Sequence, residues 1–269
     1  MMESRSNYHS YREGEWKFWV HARLWGPTLW EEISSHLKSS SPSDHPQTLR
    51  FRYPRGVDGS DYYLKIYHHS DPLGSIKDLF RVSKALRALR QSESLLREGF
   101  HTPLTVAAGE KRTARFIKMA FLLTLSVEGK LLPYFIQDHY LPLEDHSLIR
   151  KRVQIRHLAE DVRRLHQLGF IHGDLVPYNI LVQSKEDEIQ FFYLDNDRTR
   201  RYPRWISREL WKRNLVQLNR FSLPGITQRD RARFLCSYAG VERLGDRERR
   251  MARWLEGETR KRAQRMESK

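Results

Sequence analysis

Three residues between Phe170 and Arg201 have the types and the spacing that phosphoryl transfer requires. Asp174 ends the segment F-I-H-G-D, Asn179 follows five residues later before I-L-V, and Asp195 closes the apolar run F-F-Y-L. The reaction needs a carboxylate that orients the attacking hydroxyl and hard oxygen ligands that hold Mg²⁺. We therefore predict that Asp174 is the catalytic base and that Asn179 and Asp195 are metal ligands.

The same stretch contains further candidates for the site. His172 lies two residues before Asp174, and we predict that it supports catalysis by holding the loop with hydrogen bonds. Asp197 is either a further metal ligand or the partner of Arg198 or Arg200, and the sequence favours neither alternative. The loop spacing, the strand context and the second aspartate must all coincide, so the pattern is specific.

The residues before the motif predict a small lobe of strands and helix, which we place at residues 1–124. Its first 47 residues are expected to be an irregular lead-in rich in tryptophan and serine. Lys65 lies among apolar residues on a strand, where a lysine head needs a partner or reaches back to solvent. We expect paired strands, a helical stretch that Gly99 caps and two strands joined by the turn G-E-K-R: Thr48–Tyr53, Asp61–Tyr67, Ser75–Glu98, Thr105–Ala108 and Phe116–Ser126.

The remaining residues, 125–269, predict a larger and mainly helical lobe. The expected elements are an amphipathic helix that Gly169 closes, a hairpin, and two basic helices: Leu148–Leu168, Ile180–Val182 with Phe191–Leu194, Arg229–Tyr238 and Asp246–Met266. A helix after Pro203 is expected to bury one apolar face: Trp205, Leu210, Trp211, Leu215 and Leu218.

The composition indicates the kind of partner. The 269 residues include 48 Lys plus Arg and 33 Asp plus Glu, a net charge of +15, which favours an anionic partner such as nucleic acid, acidic lipid or a phosphorylated glycan. Nucleic acid is not expected, because we find no zinc spacing, RNA-recognition aromatic motif or recognition helix. With one cysteine, Cys236, a polar N-terminus and no apolar run near ~20 residues, we expect a cytoplasmic protein, free or bound peripherally to a membrane.

The central stretch resembles a known family. The pattern H-G-D-L-x-P-x-N-I-L-V followed by Y-L-D-x-D-R-x-R is similar to the bacterial lipopolysaccharide core kinases, which have a protein-kinase-like fold. Those enzymes use ATP to phosphorylate heptose or 3-deoxy-octulosonic acid (Kdo) of the inner core. The resemblance covers about Thr48–Tyr238 and includes four further segments: L-R-F-R…Y-Y-L-K-I-Y, R-E-G-F-H-T-P, L-H-Q-L-G and R-N-L-V-Q-L-N-R.

The resemblance implies an α+β, two-lobed protein-kinase-like fold and an ATP- and Mg²⁺-dependent kinase. Lys65 would hold the phosphates of the nucleotide, and Phe121–Val127 would be the hinge that meets adenine. The implied acceptor is the anionic lipopolysaccharide core, at the cytoplasmic face of the inner membrane. A cluster of arginines after the metal segment would either meet this acceptor or form a solvated or ion-paired loop: Arg198, Arg200, Arg201 and Arg204.

Two departures from the family pattern keep other functions open. The helix position that should pair with Lys65 falls near Ala88, and Glu93, five residues on, points elsewhere on a helix. Gly56 and Gly59 lie in the predicted hairpin turn, so no glycine-rich phosphate loop is assigned. The alternatives are a weak or inactive kinase-like binding protein and a kinase for protein or another small molecule. The absence of an A-P-E tripeptide argues against a protein substrate.

Overall fold

The computed structural model describes residues 7–43, 45–53, 61–69, 82–114, 116–141, 145–185, 188–203, 205 and 207–267. The chain divides into two compact units, Met1–Val127 and Glu128–Lys269. Within the described ranges, none of the helices combines the length and the apolar character that crossing a bilayer requires.

The first unit is built on a six-stranded antiparallel sheet. Its elements in chain order are β1 Tyr8–Glu13, β2 Trp16–His21, α1 Pro27–Ser39, β3 Gln47–Arg52, β4 Asp61–His68, α2 Lys84–Arg97, β5 Thr105–Thr113 and β6 Phe116–Leu125. The strand order is β1-β2-β5-β6-β4-β3. The predicted pairing of Thr48–Tyr53 with the strand that carries Lys65 is confirmed. β3 pairs with β4, and Thr48 lies opposite Lys65. The predicted turn G-E-K-R is wrong, because β5 continues through Thr113 and pairs with β6 along that stretch.

The expectation of an irregular lead-in is also wrong. Residues 8–21 form the hairpin of β1 and β2, which extends the sheet beside β5. α1 then places Leu29, Ile33 and Leu37 on one helical face, at spacings of four residues, and packs them against the sheet. Several tryptophans of this segment belong to the same core, which explains why the segment is rich in them.

α2 covers the opposite face of the sheet. Its apolar residues Ala85, Leu86 and Leu89 pack with Tyr67 of β4 and with small residues of β5 and β6. The Ser83 side chain accepts a hydrogen bond from the first turn, so it begins the helix. Gly99 has φ 77°, and Phe100 donates back to the Leu95 carbonyl, which confirms the predicted glycine cap. The predicted helical residues 75–81 lie outside the described ranges.

The second unit is mainly helical. Its elements in chain order are β7 Lys130–Leu131, α3 Leu132–Tyr140, α4 Asp145–Gln167, β8 Phe170–Ile171, β9 Ile180–Lys185, β10 Glu188–Tyr193, β11 Arg200–Arg201, α5 Ser207–Leu218, α6 Gln228–Ala239 and α7 Asp246–Glu267. Two 3₁₀ turns lie at Pro177–Asn179 and Asn196–Arg198. The predicted hairpin and helices are confirmed. The predicted burial of Trp205 is wrong, because its side chain is 79% exposed, whereas Leu215 of α5 is buried as expected.

Candidate functional site

A loop after β8 carries Asp174 and is held against the second 3₁₀ turn. Gly173 has φ 78°, and a β-carbon at this position would lie 2.6 Å from the carbonyl oxygen of Arg198. Only glycine permits both this conformation and this close approach. The segment F-I-H-G-D therefore runs directly beside the segment D-N-D-R, although more than twenty residues separate them in the sequence.

Hydrogen bonds join Asn179 to Asp174 and to Leu194, the residue before Asp195. The Asn179 side-chain nitrogen donates to the Asp174 carbonyl at 2.9 Å. The Asn179 carbonyl accepts from the backbone nitrogen of Leu194 at 2.9 Å, next to Asp195. With its nitrogen used in this way, Asn179 keeps its side-chain oxygen as the acceptor for a ligand. The structure thus brings Asp174, Asn179 and Asp195 into one neighbourhood.

Asp195 has an unusual backbone conformation. It is exposed and has φ 58° and ψ 51°, the left-handed region, which among the described non-glycine residues only Ala114 shares as a positive φ. Such conformations concentrate at functional sites, where the surrounding structure enforces them. The observation favours a functional reason for an aspartate at this position.

The two residues after Asp195 are buried. Asn196 donates from its side chain to the Tyr193 carbonyl at 3.0 Å and accepts from the Thr199 hydroxyl at 3.4 Å. These bonds fix Asn196, where eukaryotic protein kinases carry an apolar residue, so the turn is held in place. Asp197 is 8% exposed, while Arg198 and Arg200 are exposed. The two predicted roles of Asp197, as a further metal ligand or as the partner of Arg198 or Arg200, stay predictions.

His172 positions the loop and is too deeply buried to contact a substrate. Its side chain is 0% exposed, and its Nε2 donates to the Leu194 carbonyl at 2.9 Å. Burial lowers the pKa of His172, although the hydrogen bond and the charges of Asp174 and Asp195 act in the opposite direction. The neutral imidazole therefore ties the loop to the end of β10, which is the role that the sequence predicted.

Helix α5 supplies two residues that sequence reasoning missed. Asn214 is fully buried, and its side-chain oxygen accepts from the His172 backbone nitrogen at 3.1 Å. Gln217 donates to the Gly173 carbonyl at 2.8 Å and accepts from the Leu175 backbone nitrogen at 3.2 Å. The segment R-N-L-V-Q-L-N-R already indicated that Asn214 and Gln217 share a helix face, because they are three residues apart. It did not indicate which segment this face contacts.

The network continues behind Asn214 into two other helices. His166 of α4 donates from Nε2 to the Asn214 side-chain oxygen at 3.1 Å, and the Tyr238 hydroxyl of α6 donates to His166 Nδ1 at 2.9 Å. Burial lowers the pKa of His166 to about 4, outweighing the hydrogen bond with Asn214. A neutral His166 is consistent with this donor and acceptor order. Three helices thus fix the backbone beside Asp174.

Lys65 lies in the first unit, on the face of the sheet that α2 covers. Its ammonium nitrogen lies 5.6 Å from the centre of the Tyr67 ring, which shares that face of β4. Ala88 is buried and provides no carboxylate, as the sequence indicated. Glu93 lies beside Tyr8, whose pKa is raised by burial and then by the Glu93 charge, and 3.8 Å from Arg97. The structure therefore supports the prediction that Glu93 points away from the expected position.

Two parts of the predicted site lie outside the described residues. The segment with Gly56 and Gly59, between β3 and β4, is one of them, and Arg204 is the other. Arg201, which is described, donates to the Leu168 carbonyl at 3.3 Å and covers the Phe170 ring. It therefore braces β8, although Arg201 is exposed, as Arg198 and Arg200 are.

A cavity of about 520 Å³ lies among the helices of the second unit. Its walls are mainly apolar and come from α3 to α7, with Ile136, Leu158, Leu215, Leu235 and Leu255 among the lining residues. The volume falls within the ~300–1,000 Å³ range of ligand pockets. Pro177 lines it, but Asp174, Asn179 and Asp195 do not, so the cavity is separate from the candidate phosphotransfer residues.

Comparisons with known sequences and structures identify relatives of this chain. The model of the lipopolysaccharide kinase (Kdo/WaaP) family matches residues 46–238. A 3-deoxy-D-manno-octulosonic acid kinase from Pasteurella multocida (strain Pm70) is 27% identical over 186 residues, which are 66% of this chain and 72% of that protein. The solved structure of WaaP in complex with acyl carrier protein matches with a TM-score of 0.61 and 22% identity, over 88% of this chain and 97% of that one. The expected α+β, two-lobed kinase-like fold is confirmed.

Proposed function

The chain belongs to the lipopolysaccharide kinase (Kdo/WaaP) family and is a kinase, and we propose that it transfers the γ-phosphate of ATP to a sugar hydroxyl of the lipopolysaccharide inner core. The observation that carries this proposal is the hydrogen-bonded arrangement of Asp174, Asn179 and the end of β10 before Asp195. The acceptor would be Kdo or a heptose. The curated relative is a Kdo kinase, which makes Kdo the first acceptor to test.

Each residue has a distinct role in this proposal. Asp174 would accept the hydrogen bond of the acceptor hydroxyl and take its proton as that oxygen bonds to the γ-phosphorus. The bond from the γ-phosphorus to the β–γ bridging oxygen would break in the same step, and ADP would leave with that oxygen. Asn179 and Asp195 would hold Mg²⁺, which would screen the charge of the phosphates. One amide oxygen and one carboxylate suit this ion, because Mg²⁺ in kinases completes its shell with phosphate oxygens and water. Lys65 would bind the nucleotide phosphates.

The charge of the site region favours an anionic acceptor. Arg198 and Arg200 are exposed directly after the metal segment. Guanidinium groups bind carboxylates and phosphates in a bidentate manner, and Kdo is an acidic sugar. We propose that the acceptor is met at the cytoplasmic face of the inner membrane, where the kinase would act as a peripheral protein.

The proposal is tested by phosphotransfer from labelled Mg-ATP to deacylated lipopolysaccharide cores that end in Kdo or in heptose. Transfer to one of the two assigns the acceptor. Binding of Mg-ATP without transfer to either sugar would overturn the proposal. That result would favour the inactive kinase-like protein, which the alanine at position 88 left open.

The hydrogen bond between the Asn214 side chain of α5 and the His172 backbone makes Asn214 a positioning residue, so its replacement should lower the rate. We expect Asn214→Ala to lower kcat by up to about 100-fold, because a displacement of the loop near 1 Å is enough for such a loss. The free energy of unfolding should fall by about 1–3 kcal/mol, since the backbone N–H of His172 loses its hydrogen-bond acceptor. Steady-state kinetics and urea unfolding measure the two effects.

Asn219→Ala is the matched control for this variant. Asn219 follows α5 and bonds Thr259 of α7 at 3.2 Å and also Arg231 of α6, so its truncation breaks hydrogen bonds to these helices and none that is made to the loop. We expect lower stability with an unchanged kcat. A kcat loss of equal size in both variants would mean that Asn214 acts through stability alone.

We further propose that the apolar cavity receives an acyl chain delivered by a carrier protein. The solved relative WaaP is in complex with acyl carrier protein, and the cavity offers mainly hydrocarbon walls. Titration with acylated and unacylated acyl carrier protein tests this proposal. Only the acylated form should bind, and Leu235→Arg, which puts a charge into the cavity, should abolish binding. Equal binding of both forms would contradict the cavity assignment.

A further inference from the structure

One side of the second unit exposes two tryptophans together with unpaired arginines. Trp205 is 79% exposed and Trp254 is 44% exposed, whereas the other five tryptophans are buried or half-buried. Arg247, Arg250 and Arg253 of α7 are exposed and form no ion pair with any residue in the described ranges. We call these five residues the Trp–Arg face.

Two contacts show how α5 and α7 run relative to each other. The Lys212 ammonium nitrogen of α5 lies 5.6 Å from the Trp254 ring centre, and Asn219 bonds Thr259 at 3.2 Å. The contacts follow the same order along both helices, so α5 and α7 run in parallel. Trp205 precedes α5 and therefore lies toward the beginning of α7, where Arg247 and Arg250 are found.

Ion pairs on α7 lie in its later part, where Arg260 pairs with Glu256 at 2.6 Å and Lys261 pairs with Glu258 at 2.8 Å. In its first half Arg247, Arg250 and Arg253 are exposed, whereas Arg249 donates to the Leu244 carbonyl at 3.2 Å. Lys212, whose head lies over Trp254, is itself paired with Glu209. Arg247, Arg250 and Arg253, exposed and without an ion pair in the described ranges, therefore lie on the same helix as Trp254.

We propose that the Trp–Arg face binds the surface of an anionic lipid bilayer. Exposed tryptophan is unfavourable for a protein that stays in water, but its ring, apolar with one polar N–H, suits the headgroup level of a membrane. Arginines at the same depth bind lipid phosphates, and each contributes to attraction by an anionic leaflet. An acidic protein would satisfy the arginines without needing the tryptophans. The inference rests on the proposed function, because the proposed acceptor is membrane-anchored.

Co-sedimentation with sucrose-loaded vesicles tests this proposal without nucleotide or acceptor. The full chain should bind vesicles of phosphatidylglycerol and phosphatidylcholine and should bind pure phosphatidylcholine weakly. Arg247→Ala/Arg250→Ala/Arg253→Ala should weaken binding on the order of 100-fold, from about fivefold for each arginine. Trp205→Ala/Trp254→Ala should weaken it about tenfold or more. Salt should release the wild type, because the attraction is screened.

The matched control removes the same charge elsewhere. Arg12, Arg23 and Lys38 of the first unit are exposed, and Arg12→Ala/Arg23→Ala/Lys38→Ala should retain wild-type vesicle binding. An equal loss in both triple variants would overturn the proposal in favour of net charge alone. Binding to polyglutamate but not to vesicles would overturn it in favour of an acidic protein partner.

The outcome also separates this surface from the proposed function. Vesicle binding without transfer to any deacylated core would support the Trp–Arg face and refute the proposed reaction. Transfer to deacylated core without vesicle binding would support the reaction and refute the membrane surface. Deacylated core is soluble, so the phosphotransfer assay does not require the Trp–Arg face.

Discussion

Replacing Asp174 by asparagine is expected to reduce phosphotransfer by about 10²–10⁴-fold while Mg-ATP still binds. The amide has nearly the same shape as the carboxylate but cannot take the proton of the acceptor hydroxyl, and positioned acid–base groups contribute about this much to rates. The backbone around the residue should stay intact, because the Asp174 carbonyl, which accepts from Asn179, is unchanged. Single-turnover phosphotransfer and nucleotide titration measure the two properties separately.

Asp138→Asn is the matched control for this substitution. Asp138 lies on α3 in the same unit, is exposed and pairs with Lys130 at 2.5 Å. Exposed ion pairs contribute at most about 1 kcal/mol, so activity and fold should be unchanged. If Asp174→Asn kept more than a tenth of the wild-type rate, Asp174 would not be the base.

The second large effect concerns stability, at a buried ion pair remote from the proposed chemistry. The side chains of Lys151 in α4 and Asp230 in α6 are 2% and 8% exposed. The Lys151 ammonium nitrogen lies 2.6 Å from the Oδ2 oxygen of Asp230. We expect Asp230→Ala to destabilise the protein by about 3–5 kcal/mol, because it leaves the Lys151 ammonium buried without its counter-charge. The melting temperature should fall on the order of 10 °C. Differential scanning calorimetry and urea unfolding check both figures.

Two further variants separate the effect of the lost ion pair on stability from the effect of the lost helix cap. Asp230 also completes a capping box with Thr227, from which it accepts at 2.9 Å and 2.8 Å. Thr227→Ala removes the side-chain cap and should cost only about 0.5–2 kcal/mol. Lys151→Met/Asp230→Ala should recover part of the loss, because no buried charge remains unpaired. If Asp230→Ala cost no more than Thr227→Ala, the ion pair would contribute nothing.

The same pair predicts a pH dependence. Burial raises the pKa of Asp230, but the hydrogen bonds from Lys151 and Thr227 outweigh it, so the pKa lies below the ordinary 3.8. The folded state then binds this proton more weakly than the unfolded state. The stabilisation is present above about pH 4 and is lost as the pH falls through the lower, folded pKa. Asp230→Ala should lack this part of the acid sensitivity.

The sequence alone was sufficient for the features that depend on local order. The segments that contain Asp174, Asn179 and Asp195 predicted a loop, a hairpin and a strand end, because each of these elements forms from residues within a few positions of one another. The amphipathic period of α4 and the glycine cap of α2 likewise depend on neighbours within a few residues. The family resemblance rested on the same local patterns.

Tertiary structure decided what depends on distant contacts. Asn214 holds the backbone nitrogen of His172 from 42 residues away, and no local pattern states which segment a helix face will meet. Trp16, Trp25 and Trp30 of the lead-in pack in the core that α1 forms with the sheet. Trp205 lies at a position that looks buried by helical period yet faces solvent. Residue type and spacing therefore determined the candidate chemistry, whereas packing between distant segments determined which side chains hold it in place and which remain exposed.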